Sequence, residues 1–346
     1  MTGMDASYLR PLSMGQVLDR AIRLYRQNFF SFVGIIAIAQ IISSIAVILI
    51  NVAQTETISG GAQTPTLTIF SVLFAMLLVF VSAILLQIAT AALTRAVADN
   101  YLGHRVSIGE AYRKIGRSWL TLIGASLLMG FLILILVFVF IIPCIGWLLA
   151  IPGLGGIVFF SIVALPFMAP VIVLEKQSAL AAPGRAWNLA RRRFWWLFGF
   201  ALLLWLFGQL VVTGPAYLTV ALTTSLLFNG AVSPLVATTI QQAVTFLFSV
   251  IYYPLQLTCI TLMYFDVRIR TEGFDLAVLA ASDEATASEG IDMSLAVTET
   301  KETITPTVEE LGYFSLISIG AGFVLLLLWF VFAGLIALFL PGMGGF

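Results

Sequence analysis

The feature that most constrains the fold is a series of seven long apolar stretches that contain no Asp, Glu, Lys or Arg. They cover approximately residues 29–51, 67–93, 119–142, 157–174, 194–222, 238–265 and 313–340. A helix needs about 20 mostly apolar residues to cross the hydrocarbon core, where every backbone polar group must be satisfied within the segment. Charged residues make up only 10% of the 346-residue chain, too few to cover a water-soluble core. The sequence therefore predicts an all-α, polytopic membrane helix bundle.

The distribution of Lys and Arg predicts how this bundle is oriented. Neither residue occurs in the segments 52–66, 143–156 and 223–237, which join spans one to two, three to four and five to six. All basic residues before residue 277 fall on the other side of the bundle. Because cytoplasmic loops are enriched in Lys and Arg, we predict a cytoplasmic N-terminus and, with seven spans, a C-terminus outside.

The sequence also contains a pattern that occurs three times. In each copy an Ala is followed by an aromatic residue eight positions later and by a Gly thirteen positions later. The sets are Ala21, Phe29 and Gly34; Ala111, Trp119 and Gly124; and Ala186, Phe194 and Gly199. We predict a threefold repeat of one interfacial amphipathic helix and two spans, at about residues 12–100, 105–177 and 178–270. Three unrelated juxtamembrane helices of similar composition are the alternative.

Each copy begins with a basic segment whose apolar residues recur at helical spacing. Ser13 with Gln16 and Ser107 with Glu110 have the spacing of a capping box, and Pro183 suits the first turn of the third helix. Such helices lie in the membrane interface, where cations attract anionic headgroups at about 1 kcal/mol per basic residue. The predicted headgroup-binding residues are Arg20, Arg23, Arg26, Arg113, Lys114, Arg117, Arg185, Arg191, Arg192 and Arg193.

Polarity within the predicted spans comes from neutral side chains. The candidates for an intramembrane polar cluster are Gln40, Gln87, Gln209, Gln241, Gln242, Tyr253 and Gln256. They predict interhelical hydrogen bonds or, as the alternative, a polar pathway between the repeats. Pro166, Pro170, Gly214-Pro215 and Pro254 predict kinks or breaks in spans four to six.

Signatures of catalysis are scarce. The single histidine, His104, is predicted to lie in a loop, and Gly153-Leu154-Gly155-Gly156 has no basic neighbour and indicates a turn rather than a phosphate cradle. The two cysteines lack paired spacing. Acidic residues at the basic side have basic neighbours, which predicts structural ion pairs at Asp19, Asp99, Glu110, Glu175 and Asp266. We expect no catalytic residues, no metal, no cofactor and no nucleic-acid partner.

Several segments resemble the glycerophosphoryl diester phosphodiesterase membrane domain, a group of bacterial multi-pass proteins. They include LRPLS at 9–13 and VIVLE at 171–175, and further blocks at 18–20, 24–26, 28–29, 185–187, 193–195, 264–268 and 272–276. The resemblance covers about residues 1–280 and implies a bacterial plasma (inner) membrane and a role concerned with phospholipids. The soluble barrel that follows this domain in some relatives is not expected here, because residues 277–346 are too few and lack its His and carboxylate residues. The resemblance therefore supplies no catalytic residue.

The segment 277–312 differs in composition from the rest of the chain. It holds eight acidic residues against Lys301 alone, which predicts a flexible acidic linker. It separates a six-span membrane domain, residues 1–276, from a C-terminal transmembrane helix in 313–346. A hypothesis beside that of a simple tether is that the linker folds back on the basic residues and competes with lipid.

Taken together, these features predict a non-enzymatic integral membrane protein that binds anionic phospholipid, or docks a protein partner, through its basic amphipathic helices. A transporter or channel-like protein, with a lipid-related or small solute passing kinked spans four to six, is the alternative. A lipid-modifying enzyme is the third hypothesis, and homo-oligomerisation is left open.

Overall fold

The computed structural model describes residues 11–58, 65–103, 107–276 and 305–339, and within these ranges it contains helices and no β-strand. The helices are α1 (Met14–Gln27), α2 (Phe29–Ile58), α3 (Pro65–Tyr101), α4 (Ile108–Lys114), α5 (Ser118–Phe140), α6 (Ile145–Phe159), α7 (Leu165–Glu175), α8 (Ala182–Arg191), α9 (Phe194–Gly208), α10 (Gly214–Phe228), α11 (Pro234–Glu272) and α12 (Val308–Phe339). The predicted all-α class is confirmed. His104 and residues 277–304 of the predicted linker lie outside the described residues.

Six helical segments of the described chain are long and apolar enough to cross a membrane, which confirms the predicted membrane helix bundle. They are Phe29–Asn51, Met76–Tyr101, Ser118–Phe140, Leu148–Glu175, Phe194–Phe228 and Pro234–Glu272. The fourth runs through α6 and α7, and the fifth through α9 and α10. α12 is a 32-residue helix but is not one of the six, so the seventh span stays a prediction.

The segment 143–156 is largely helical, and the prediction of a turn at its glycines was wrong. α6 begins at Ile145 and includes all of 153–156. The reason lies in helix packing: a Cβ atom at Gly155 would overlap the backbone carbonyl of Phe314 in α12. Small residues allow such close approach between membrane helices. Gly155 and Gly156 therefore make room for α12, and Gly153 makes room for Phe140 of α5.

Two of the predicted helix distortions occur as π-helical turns. One covers Phe160–Ala164 and the other Gln209–Thr213, and each ends two residues before a proline, Pro166 or Pro215. Proline lacks an N–H and its ring clashes with the carbonyl four residues earlier, so a wider turn before it relieves the clash. The other two prolines predicted to distort these spans lie inside α7 and α11, which both continue as α-helix.

The three short helices α1, α4 and α8 lie where amphipathic helices were predicted, and their position in a membrane interface stays a prediction. Ser13 and Gln16 form a complete capping box at the start of α1. Ser107 accepts a hydrogen bond from the backbone N–H of Glu110 at the start of α4, and Pro183 lies in the first turn of α8. Each short helix precedes a long helix and a returning one. This is the element order of the predicted threefold repeat, while the duplication itself stays a prediction.

The best-packed part of the protein is one end of the bundle, where α1, α4 and α8 surround the C-terminal ends of α3, α7 and α11. We call it the basic end. Nearly every residue of 89–99, 167–175 and 258–269 is buried there. Away from it, α2, α5, α9 and α10 expose many Ile, Leu and Phe side chains, as lipid-facing helices do. The apolar stripe of α1, with Val17 and Ala21 buried, thus packs on protein.

Candidate functional site

A buried ion-pair cluster holds α8 against the ends of α7 and α11. Arg185 of α8 donates to Glu175 through Nε (2.8 Å) and Nη2 (3.1 Å), and to Glu272 through Nη1 (2.5 Å) and Nη2 (2.8 Å). Arg268 donates to Glu272 through Nε at 3.0 Å, and the Tyr264 hydroxyl donates to Glu175 at 2.7 Å. These five residues connect the consecutive helices α7 and α8 to the distant α11.

The cluster is charge-balanced and closed to solvent. Its two guanidinium and two carboxylate groups are at most 2% exposed. Burial alone lowers the pKa of Arg185, but the hydrogen bonds and charges of Glu272 and Glu175 outweigh it and raise the pKa above its ordinary value. Buried ion pairs of this kind fix geometry more than they add net stability, because desolvation offsets the attraction. The cluster therefore orients α8 and offers no exposed charge to a ligand.

A second ion-pair group joins the start of the described chain to α11. Asp266 accepts from Arg270 at 3.1 Å and from Arg193, next to α9, at 3.3 Å. The backbone N–H of Leu12 donates to Asp266 at 2.6 Å, and the Leu12 carbonyl accepts from Arg270 at 2.8 Å. Arg193 also lies 4.5 Å from the ring centroid of Trp196. Asp266 and Arg193 therefore bind other parts of the protein and stabilise the fold.

A third group holds α4 to α3. Lys114 pairs with Asp99 at 3.2 Å and with Glu110 at 2.9 Å, and Arg95 also pairs with Asp99. The hydrogen bond between the Lys114 and Glu110 side chains raises the pKa of Lys114 and lowers the pKa of Glu110. The predicted structural ion pairing is thus confirmed for every acidic residue named above except Asp19, whose side chain forms no ion pair within the described ranges.

The predicted headgroup-binding residues divide into two groups. Six are engaged with other parts of the protein: Arg20, Lys114, Arg185, Arg191, Arg192 and Arg193. Within this group Arg20 donates to the Tyr101 hydroxyl at 3.0 Å, and Arg191 pairs with Glu310 of α12 at 2.7 Å. The other four are exposed and form no ion pair with another described residue: Arg23, Arg26, Arg113 and Arg117.

Two tyrosines fix the helices that carry the exposed arginines. The Tyr25 hydroxyl of α1 donates to the Ile251 carbonyl of α11 at 2.8 Å, one turn before Pro254. The Tyr112 hydroxyl of α4 donates to the Ile35 carbonyl of α2 at 2.7 Å. With one side of each helix held against the bundle, the arginines on the other side face outward.

An open cavity of about 610 Å³ lies beside the outer face of α1. It is lined by Asp19, Ile22, Arg23, Arg26 and Gln27, all exposed. Two guanidinium groups thus lie beside an exposed isoleucine. Such a mixture suits the boundary between lipid headgroups and chains, where side chains combine an apolar stem with a charged tip.

The predicted intramembrane polar residues are not gathered at one place. Gln87 of α3 donates to Ser126 of α5 at 3.0 Å, and Gln241 of α11 donates to Thr223 of α10 at 2.6 Å. Among the described residues no hydrogen bond joins two of the predicted set. Of the others, Gln40, Gln242 and Gln256 are partly buried, and Gln209 and Tyr253 are exposed. This arrangement is one of separate interhelical hydrogen bonds.

Sequence reasoning gave no site role to Tyr264, Arg268, Glu272 or Glu310, although the first three lie in segments that carry the resemblance. A signal for the first three existed, because they recur every four residues and therefore share one face of α11. Glu310 had no such signal, since its partner Arg191 is 119 positions away. Within the described ranges, no group of three or more His, Cys, Asp and Glu side chains could hold a metal ion.

The helices and their ion pairs define the class of this protein as a multi-pass, all-helical membrane bundle. A family model described as "Domain of unknown function (DUF7847)" matches residues 12–267, and the chain belongs to that family. No curated protein and no solved structure matches the chain. The glycerophosphoryl diester phosphodiesterase membrane domain is not named by any comparison, so the resemblance to it is unconfirmed.

Proposed function

We propose that the protein is a non-enzymatic membrane protein whose basic end binds anionic phospholipid headgroups through Arg23, Arg26, Arg113 and Arg117. The observation that carries this proposal is the division of the arginines. Those on and next to α8 are engaged by carboxylates, whereas these four are exposed and form no ion pair within the described ranges. The proposal leaves out Arg185, which is buried.

The chemistry of arginine supports an anionic oxygen ligand. A guanidinium group presents donors in a planar fork that matches a phosphate, and it stays charged at any physiological pH. At about 1 kcal/mol per basic residue near a membrane surface, the four together favour anionic lipid by about 4 kcal/mol, or roughly a thousandfold. The apolar neighbour Ile22, 37% exposed in the α1 cavity, suits the start of an acyl chain.

The test compares lipid retention in nanodiscs that contain equal parts of phosphatidylglycerol and phosphatidylcholine. Native mass spectrometry of the released protein should detect preferential retention of phosphatidylglycerol. Replacing all four arginines by Gln should abolish that preference, and replacing them by Lys should reduce it while keeping the charge. An unchanged preference in the Gln variant would contradict the proposal.

The alternative, a transporter that uses spans four to six, has one observation in its favour. π-helical turns often occur at functional sites, and the fourth and fifth spans contain one each, at Phe160–Ala164 and Gln209–Thr213. Their position before prolines accounts for them without transport. Solute flux into proteoliposomes that is lost in Gln241→Leu would favour this function over lipid binding.

A further inference from the structure

A second cavity, of about 340 Å³, lies between α5, α6 and the start of α12. On α5 its lining runs from Met129 to Leu136, and on the fourth span it runs from Leu149 to Phe160. Each run uses positions three and four residues apart, so one face of each helix borders the gap. Leu311 of α12 lies at its margin, and all the lining side chains are apolar.

The cavity exists because α6 presents little side-chain volume on this face. Its lining there includes Pro152, Gly153 and Gly156. The first turns of α12 then cover part of the gap, because Phe314 packs over Gly156. Side chains that line an apolar gap make dispersion contacts on that side only when apolar atoms occupy the gap.

We propose that this cavity holds one acyl chain of a membrane phospholipid. From Leu149 to Phe160 the fourth span rises about 16 Å at 1.5 Å per residue, so the cavity is long and narrow for its volume of about 340 Å³. One hydrocarbon chain suits this shape, because its carbons pack against neighbours at about 4 Å. A helix of a second copy does not, since 16 Å of an α-helix about 10 Å across fills roughly 1,250 Å³.

Two further observations favour a phospholipid as the source of the chain. Leu132 and Leu149 line the cavity and are 47% and 44% exposed, so the cavity opens sideways where the bilayer supplies chains. The described lining residues are all apolar. This part of the lining therefore offers no cation to the carboxylate of a free fatty acid. The inference goes beyond headgroup binding at the basic end and does not depend on it.

The matched variants for the test are Ile133→Trp and Ile135→Trp. Both residues are on α5, but Ile133 lines the cavity while Ile135 is 44% exposed and does not. The full chain is reconstituted in phosphatidylcholine nanodiscs containing phosphatidylcholine with a diazirine near the end of one chain. After illumination, cross-linked residues are identified by peptide mass spectrometry, and unlabelled phosphatidylcholine serves as the competitor.

We expect cross-links concentrated on the cavity-lining residues of α5 and α6. Ile133→Trp should reduce them at least fivefold, and Ile135→Trp should leave them unchanged. Labelling of the cavity no stronger than labelling of exposed Leu134 would overturn the proposal, and this comparison needs only the unmodified protein. A free fatty acid retained in place of phospholipid in native mass spectra would also overturn it. Neutralising the four exposed arginines should not change the pattern, which separates this site from the headgroup site.

Discussion

Removing the charge of Arg185 is the sharpest perturbation of the basic end. The Arg185→Gln substitution leaves Glu175 and Glu272 buried with Arg268 as the remaining cation of the cluster. Arg185 forms four hydrogen bonds to carboxylates. At about 1.5–3 kcal/mol each, their loss would lower the free energy of unfolding by about 6–12 kcal/mol. The cost of desolvating the guanidinium offsets much of that sum. Removing one partner of a buried ion pair is therefore expected to lower the free energy of unfolding by about 3–5 kcal/mol.

The assay is equilibrium unfolding of the protein in neutral mixed micelles, titrated with sodium dodecyl sulfate and followed by far-ultraviolet circular dichroism. Arg117→Gln is the matched control, because this arginine is exposed and has no ion pair within the described ranges. Its unfolding free energy should change by less than about 0.5 kcal/mol, as for most surface substitutions. Adding Glu272→Gln to Arg185→Gln should recover part of the loss, since it restores charge balance within the cluster.

Two outcomes would refute this reasoning. A loss below about 1 kcal/mol for Arg185→Gln would mean that water or relaxation compensates the buried carboxylates, and that the cluster does not hold α8. A double variant less stable than Arg185→Gln alone would mean that hydrogen bonds of Glu272, rather than uncompensated charge, account for the effect.

Three further predictions concern α12 and α4. Arg191→Glu should loosen α12 and increase its cleavage by protease, because Arg191 and Glu310 form an ion pair between α8 and α12. The exchanged pair, Arg191→Glu with Glu310→Arg, should restore resistance. Gly155→Leu should displace α12 even more, since a side chain there overlaps the α12 backbone, and protection of α12 in hydrogen exchange should fall. The attachment of α4 to α3 should weaken at both pH extremes. The pKa of Glu110 is lowered, so its contribution to stability is lost as the pH falls through that pKa. The pKa of Lys114 is raised, so its contribution is lost as the pH rises through that pKa. The hydrogen-exchange protection factors of the α4 amides, taken relative to the intrinsic exchange rate at each pH, measure this. Protection factors that do not vary with pH would contradict it.

The parts of this fold that were predictable are those encoded over a few residues. A capping box such as Ser13 with Gln16, an apolar stretch and a proline in a span each act within about two turns of helix, so the sequence alone places them. Partners across the fold were not predictable in this way. The Glu175–Arg185 pair, ten positions apart, was within reach of sequence reasoning, but the pairing of Arg185 with Glu272, 87 positions away, was not.

The glycines of α6 show why composition misled in one place. Gly153 and its neighbours favour a turn in water, because glycine costs helix stability there. In a bilayer the backbone must stay hydrogen-bonded, and a glycine in a helix becomes a contact surface for another helix. The approach of α12 to Gly155 follows that second rule. No local signal distinguished the two, since the partner α12 begins more than 150 residues later.

The distribution of charge at the basic end gives α12 a part in the proposed function. The family match ends at residue 267, within α11, so α12 lies wholly beyond it. Yet the carboxylate that engages Arg191 is Glu310 of this helix. A chain that ends after α11 would keep the buried cluster around Arg185 but would lose Glu310 as the partner of Arg191. Since truncation after residue 276 removes this carboxylate from the basic end, it should increase phosphatidylglycerol retention, whereas a helix that only anchors the protein would leave retention unchanged.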